Sequence, residues 1–187
     1  MRTRRGRVVA IFLTATVTAA TVWVARAQDK PAASLVKPQT YISLDAVPQG
    51  KTFEAAVVVA IEKGYHTNSN KPSETYLIAT TLTPTAPAGI KVLDTMYPAG
   101  KDTKFPFTEK PLNVYSGTVT LKLKLATDAT TPVGDVTIPT VLRYQACSES
   151  ACLPPVKVPV DVPVKVVKAG TPAHAVHADV FGASAAK

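Results

Sequence analysis

Between residues 40 and 167 apolar side chains recur with a period of two rather than the 3.6 of a helix, and the runs are β-branched and punctuated by Pro and Gly. The pattern predicts strands at 41–47, 53–63, 75–83, 90–97, 118–126, 135–146 and 156–167. Val119, Leu121, Leu123 and Leu125 alternate with Thr120, Lys122 and Lys124, as in an antiparallel strand with one buried and one wet face. Seven such runs in about 130 residues, with almost no helical periodicity, predict an all-β antiparallel sandwich.

The last run alternates Val156, Val158, Val160, Val162, Val164 and Val166 with Lys157, Pro159, Asp161, Pro163 and Lys165. Alternate residues direct their N–H groups to the same side, so Pro159 and Pro163 remove donors from one edge only. This predicts an edge strand whose prolines and lysines protect it from pairing with another chain.

The ends of the chain read differently. Arg2, Arg4, Arg5 and Arg7, an apolar run from Val8 to Val24, and Ala25-Arg26-Ala27 together have the form of a secretory signal peptide over residues 1–27. Cleavage before Gln28 is expected, with an uncleaved anchor as the alternative. Residues 28–39 and 168–187 are rich in Ala, Pro, Thr and Ser and are expected to be loose: a flexible N-terminal segment and a disordered C-terminal tail around a folded unit at 40–167. The formal charge of +8 comes largely from the leader. Five of the 21 basic residues lie there, leaving sixteen against thirteen acidic ones. The remaining lysines are dispersed, which argues against nucleic acid as a partner. No later apolar stretch approaches a bilayer span, so none is expected after signal cleavage.

Against this background the two cysteines stand out. Cys147 and Cys152 lie in Tyr144-Gln145-Ala146-Cys147-Ser148-Glu149-Ser150-Ala151-Cys152-Leu153-Pro154-Pro155. In an oxidising compartment an even pair bonds by default. A crosslink closing about six residues contributes roughly 2 kcal/mol in the chain-entropy treatment, against ~4–5 for one closing about a hundred. As a staple the pair is badly placed, so a working disulfide and a structural one both stay open. Neither a second C-x-x-C nor paired histidines accompany it as tetrahedral zinc would require, and no metal or other cofactor is expected.

These residues resemble the N-terminal periplasmic domain of the DsbD thiol:disulfide interchange proteins. The likeness is carried by Tyr144-Gln145-Ala146-Cys147, the short Ser/Glu/Ala loop and Cys152-Leu153-Pro154-Pro155, and by Gly64-Tyr65-His66-Thr67-Asn68-Ser69-Asn70-Lys71-Pro72. It implies an immunoglobulin-like β-sandwich, a periplasmic location (secretion being the alternative), and thioredoxin-like or membrane-linked thiol–disulfide partners. It also implies a relay of electrons through the Cys147–Cys152 pair, with Cys152 receiving attack. If the chain is an enzyme at all, it is a protein-disulfide reductase or exchange component. The expected cycle has a reduced partner attack Cys152 and release the Cys147 thiolate, after which Cys147 attacks back to free the oxidised partner. A cap loop bearing a shielding aromatic is also implied, at Lys104-Phe105-Pro106-Phe107-Thr108, with Phe107 or Phe105 as the cap. The likeness is to a stand-alone domain: within these residues there is neither the membrane electron-transfer segment nor the thioredoxin-like C-x-x-C domain of the full-length pattern. Electrons are then expected from separately encoded partners, unless the fold has been kept for another task.

Other residues carry weaker signals. Tyr144 is a candidate supporting residue beside the disulfide, or else an ordinary core aromatic. His66 is a candidate proton shuttle near neutral pH, or else a hydrogen-bonded structural histidine. Arg143 and Lys157 are near enough in sequence to lower a thiol pKa, which Glu149 would oppose. His174 and His177 form an H-x-x-H pair without a third ligand. The competing function is a non-catalytic binding or assembly domain with an inert disulfide, docking through its edge strand.

Overall fold

The computed structural model describes residues 30–182. The leader expected at 1–27 and the last five residues of the chain lie outside the described residues. In chain order the strands are β1 (Val36–Ile42), β2 (Val47–Pro48), β3 (Thr52–Ile61), β4 (His66–Asn68), β5 (Thr81–Pro84), β6 (Ile90–Met96), β7 (Lys101–Thr103), β8 (Leu112–Tyr115), β9 (Thr118–Thr127), β10 (Gly134–Tyr144), β11 (Ala146–Cys147) and β12 (Val156–Val167). A single 3-10 turn precedes them at Ala32–Ser34, and a short helix, α1 (Ala178–Phe181), follows. No helix among the described residues is long and apolar enough to cross a membrane.

Two four-stranded sheets form the sandwich, in the orders β1-β3-β9-β6 and β2-β12-β10-β5. Every pairing in them is antiparallel except the short one between β12 and β2. The two inner faces share one core, with Phe53, Val57, Leu121, Leu123 and Leu125 from the first sheet against Ile138, Leu142, Tyr144, Val162 and Val164 from the second. The all-β antiparallel sandwich expected from the period-two pattern, immunoglobulin-like as the resemblance implied, is the fold observed. In β12 Val160, Val162, Val164 and Val166 are buried while Lys157, Pro159, Asp161, Pro163 and Lys165 are exposed. The strand expected at the sheet edge is instead second in its sheet: it pairs along its length with β10 and at Val166 and Val167 with β2, although among the described residues the rest of that edge, which carries both prolines, is unpaired.

A third sheet, β11-β4-β8-β7, is small and carries the cysteine hairpin. Its strands are two to four residues long, too short for an alternating pattern to register. β10 runs almost directly into β11, with Gln145 between them, so the long strand of the sandwich delivers Cys147 to this sheet.

Several boundaries differ from expectation. The run expected at 75–83 is strand only from Thr81 to Pro84. Ahead of it the chain turns, with the Leu77 N–H donating to the Glu74 carbonyl (3.2 Å) and the Thr80 N–H to the Ser69 carbonyl (3.2 Å), and side-chain bonds tie this stretch to its neighbours. Asn68 Nδ2 donates to the Ile78 carbonyl (3.1 Å), Thr80 Oγ1 donates to the Asn68 carbonyl (2.6 Å), and the Asn113 N–H donates to Ser73 Oγ (2.8 Å). Residues 36–39, expected to be loose, form the first half of β1 because Leu35 and Val36 are buried in the core. Ahead of them, Lys30 pairs with Glu62 at 2.9 Å. Much of the stretch after residue 167, expected to be disordered, is docked. The Val176 N–H donates to the Ser43 carbonyl, Leu44 bridges Ala175, and Phe181 is buried beneath Lys122. In both ends isolated apolar residues find tertiary partners that local composition does not announce. The H-x-x-H pair is divided between partners: His174 Nδ1 lies 3.0 Å from Asp45 Oδ2, and His177 packs edge-on against Tyr41.

Candidate functional site: a half-buried disulfide beside an aromatic stack

Cys147 and Cys152 are joined by a disulfide across a tight hairpin. The Leu153 N–H donates to the Ala146 carbonyl (2.9 Å) and the Ser148 N–H to the Ala151 carbonyl (2.8 Å). The cysteines therefore face each other between two hydrogen-bonded pairs, the ladder position at which opposite residues approach most closely; their Cα atoms are 3.9 Å apart. Ser148 braces the turn by accepting the N–H groups of Ser150 and Ala151, and Gln145 Nε2 donates to the Leu153 carbonyl at 3.1 Å.

The two sulfur-bearing residues are unequal. Cys147 is 1% exposed, held in the third sheet, whereas Cys152 is exposed. An in-line approach to a disulfide requires access to one sulfur, and here the accessible residue is Cys152.

On the buried side Cys147 lies directly opposite His66 of β4, and Ala146 opposite Thr67. Opposite residues of an antiparallel pair carry their side chains to the same face, with Cβ atoms about 4.5–5.5 Å apart. The His66 ring is 4% exposed and stacks on Phe105, with centroids 4.1 Å apart and planes inclined by 19°. Phe105 in turn stacks on Phe107 at 5.4 Å. Phe105 is buried and Phe107 is 44% exposed, so the row of rings runs from the neighbour of the disulfide out to solvent. Both phenylalanines belong to the β7–β8 loop. It is closed on itself by the Thr108 N–H donating to the Phe105 carbonyl (3.2 Å) and by Lys104 Nζ donating to the Glu109 carbonyl. Phe107 also lines an open cleft of about 390 Å³ with Tyr76, Glu74 and Leu112.

Burial pushes the His66 pKa below the ordinary imidazole value, which favours the neutral ring near neutral pH. Its Nε2 is buried and has no hydrogen-bond partner, as is also true of Asn68 Oδ1. An unpaired buried polar atom costs about 1–3 kcal/mol, so each needs a reason to be there.

Of the other sequence candidates, Tyr144, Arg143 and Lys157 lie on the sandwich strands β10 and β12 rather than on the hairpin. Tyr144 is fully buried in the sandwich core, and its hydroxyl donates to the Ala32 carbonyl at 2.9 Å. Burial pushes its pKa up to about 12. Arg143 and Lys157 are directly opposite each other on β10 and β12, in the register that alternates with the inward-facing Leu142 and Tyr144. Glu149 is exposed at the hairpin tip. Sequence reasoning missed Gln145 as a brace of the hairpin, and nothing in its surroundings in the chain singles it out.

The model of the family described as "Thiol:disulfide interchange protein DsbD, N-terminal" matches residues 32–163, well over half of the chain. Among curated proteins none matches. Among solved structures the chain is similar to the reduced DsbD N-terminal domain of Neisseria meningitidis, at 17% identity over 79% of this chain and 95% of that one, with a TM-score of 0.44. A sandwich carrying its one cysteine pair on an end hairpin, matched by that family over nearly all of its strands, is a thiol–disulfide interchange domain, and this chain belongs to the DsbD N-terminal family.

Proposed function

We propose that the protein is an exported, periplasmic module that relays electrons between protein partners by thiol–disulfide exchange at Cys147–Cys152. The observation that carries this reading is the inequality of the pair: an exposed Cys152 bonded to a buried Cys147. The thiolate of a reduced dithiol partner attacks Cys152 Sγ. The disulfide breaks, and Cys147 Sγ leaves with the bonding pair. The second thiol of the partner then attacks the partner's own sulfur in the mixed disulfide, freeing Cys152 and leaving the partner oxidised. The step cannot be completed by Cys147, as the sequence-based cycle had it, because attack by Cys147 would restore the starting disulfide and gain nothing. Cys147 acts in the second half of the cycle. Once Cys152 has attacked an acceptor's disulfide, Cys147 attacks Cys152 Sγ and expels the reduced acceptor. The partners that fit are thioredoxin-like or membrane-linked thiol–disulfide proteins, whose two thiols can perform both attacks.

The β7–β8 loop serves as the cap, with Phe105 as the inner ring and Phe107 as the outer one. Support comes from the stacking of Phe105 on His66, the cross-strand neighbour of Cys147, and from the exposure of Phe107. Phe105→Ala should speed reduction of the disulfide by dithiothreitol several-fold, and Phe107→Ala should do so less; unchanged rates in both variants would remove the cap.

The reading as a whole is tested by the equilibrium reduction potential of the pair, titrated against a thioredoxin-type couple. A value of about −180 to −270 mV is expected for a relay. A value below about −300 mV would mark a structural bond, and the free edge of β12 would then be the surface on which to look for a partner.

A further inference from the structure

We infer that His66 is the hydrogen-bonding and proton-accepting partner of the Cys147 sulfur once the disulfide opens. This rests on the exchange reading above and adds to it a group that governs the buried sulfur. Three observations converge. His66 and Cys147 are directly opposite in the β4–β11 register, so their side chains share a face. Both are buried, at 4% and 1% exposed, which keeps water from serving either of them freely. Nε2 of His66 has no partner while the disulfide is closed, although Thr67, the next residue of β4, and Thr80 are hydrogen-bonded to each other at 3.0 Å. A ring needed only to fill space beneath Phe105 could be apolar, with no unpaired nitrogen. A nitrogen left idle by the oxidised state acquires a function when Cys147 becomes a thiol or thiolate, since a disulfide sulfur has no proton to share.

The chemistry balances in both directions. During loading, the partner's thiolate bonds to Cys152 Sγ, the S–S electron pair passes to Cys147 Sγ, and the imidazole N–H donates to the new thiolate, passing it that proton while the ring takes up on its other nitrogen one of the two protons released as the partner's dithiol is oxidised. During delivery, the Cys147 S–H gives its proton to the neutral imidazole as its sulfur bonds to Cys152, the acceptor's sulfur leaves with the pair from the mixed disulfide, and the departing thiolate takes up the proton that the imidazolium then gives back. Burial favours the neutral imidazole that this second step needs. The titratable groups on the elements around His66 are few. Tyr115 of β8 is engaged by Asn70 and the Pro98 carbonyl. Lys101 and Asp102 lie on β7, with Asp102 bonded to Asn113. Lys104, Glu109 and Lys110 lie on the β7–β8 loop, and Glu149 at the hairpin tip. Among the described residues none of these forms an ion pair with the ring.

The test compares the full chain with His66→Phe and His66→Gln. Phe preserves the stack on Phe105 without a nitrogen; Gln preserves hydrogen bonding without a titrating group. Two quantities are read: the ionisation of Cys147 from thiolate absorbance in a Cys152→Ser background, and the pH profile of disulfide reduction by dithiothreitol. The expected result for His66→Phe is a raised Cys147 pKa and reduction slowed about tenfold or more near neutral pH. His66→Gln should recover part of the rate and lose the inflection contributed by the imidazole. A Cys147 pKa and a pH profile in both variants equal to those of the native chain would overturn the inference. Should Phe fail to fold, judged by its thermal transition, the Gln variant decides. Failure of the exchange reading looks different: a native disulfide that no dithiol partner reduces, whatever stands at 66.

Discussion

Alkylation of the single thiol in a Cys147→Ser variant should outpace alkylation of the single thiol in a Cys152→Ser variant on the order of a hundredfold at the same pH, because a buried thiol reacts only through opening of its surroundings. Cys152 is exposed on the hairpin, while Cys147 sits 1% exposed on β11 beside β4. The same inequality fixes the outcome with an acceptor disulfide. Cys147→Ser should accumulate a mixed disulfide at Cys152 when an oxidised acceptor is supplied, since no thiol at 147 remains to expel it. Cys152→Ser should accumulate little. Rates measured with iodoacetamide that prove equal would mean that both sulfurs are open to attack, and the assignment of Cys152 as the point of entry would fail.

Tyr144→Ala should destabilise the domain by about 3–5 kcal/mol, the range for deleting a large buried aromatic side chain, read as a shift of the denaturation midpoint at unchanged slope. The side chain is among the largest that are fully buried, and its hydroxyl ties the end of β10 to the Ala32 carbonyl at the start of the fold. Removing it opens a cavity and frees the segment ahead of β1 at the same time. A milder variant isolates the hydroxyl. The Tyr144 pKa is raised from 10.0 to about 12, so the stability contributed by the neutral phenol is fully present below pH 10 and is lost as the pH rises towards 12. Linkage over that window is roughly 2–3 kcal/mol. Tyr144→Phe should be less stable than the native protein by about 1 kcal/mol at neutral pH and should lose less stability through the alkaline window. Identical alkaline profiles would place the hydroxyl in contact with water and contradict its burial.

What could be read from the chain follows from which signals are local. The fold class came from alternation: β9 and β12 each present apolar side chains at every second position, and a period of two admits few arrangements other than a half-buried strand. That most of one side of β12 carries no ladder was legible because its two prolines remove donors there, whereas the short pairing with β2 beyond them was not. The cysteine pair was legible because thiols five residues apart in a Ser/Glu/Ala hairpin are chemically distinctive even without a partner in view. Tyr144 shows the limit. Its place three residues before Cys147 left two readings open, a neighbour of the disulfide or a core aromatic; the fold puts it in the core, with its hydroxyl on a carbonyl 112 residues away in the chain.

By itself, then, the sequence determined the strand-rich architecture, the largely unpaired side of β12 and the identity of the disulfide pair, because periodicity and residue chemistry act within a few positions of the chain. Only the tertiary structure decided the rest. It drew residues 36–39 and Phe181 out of segments that read as loose, by giving their apolar side chains a core to enter. It distinguished Cys152 from Cys147 by burying one and exposing the other, and it set His66 opposite Cys147 and Phe105 upon His66. These last relations join residues some 40 to 80 positions apart, through strands too short to announce themselves. The free energy that holds them is contact between distant surfaces, which no window of the sequence contains.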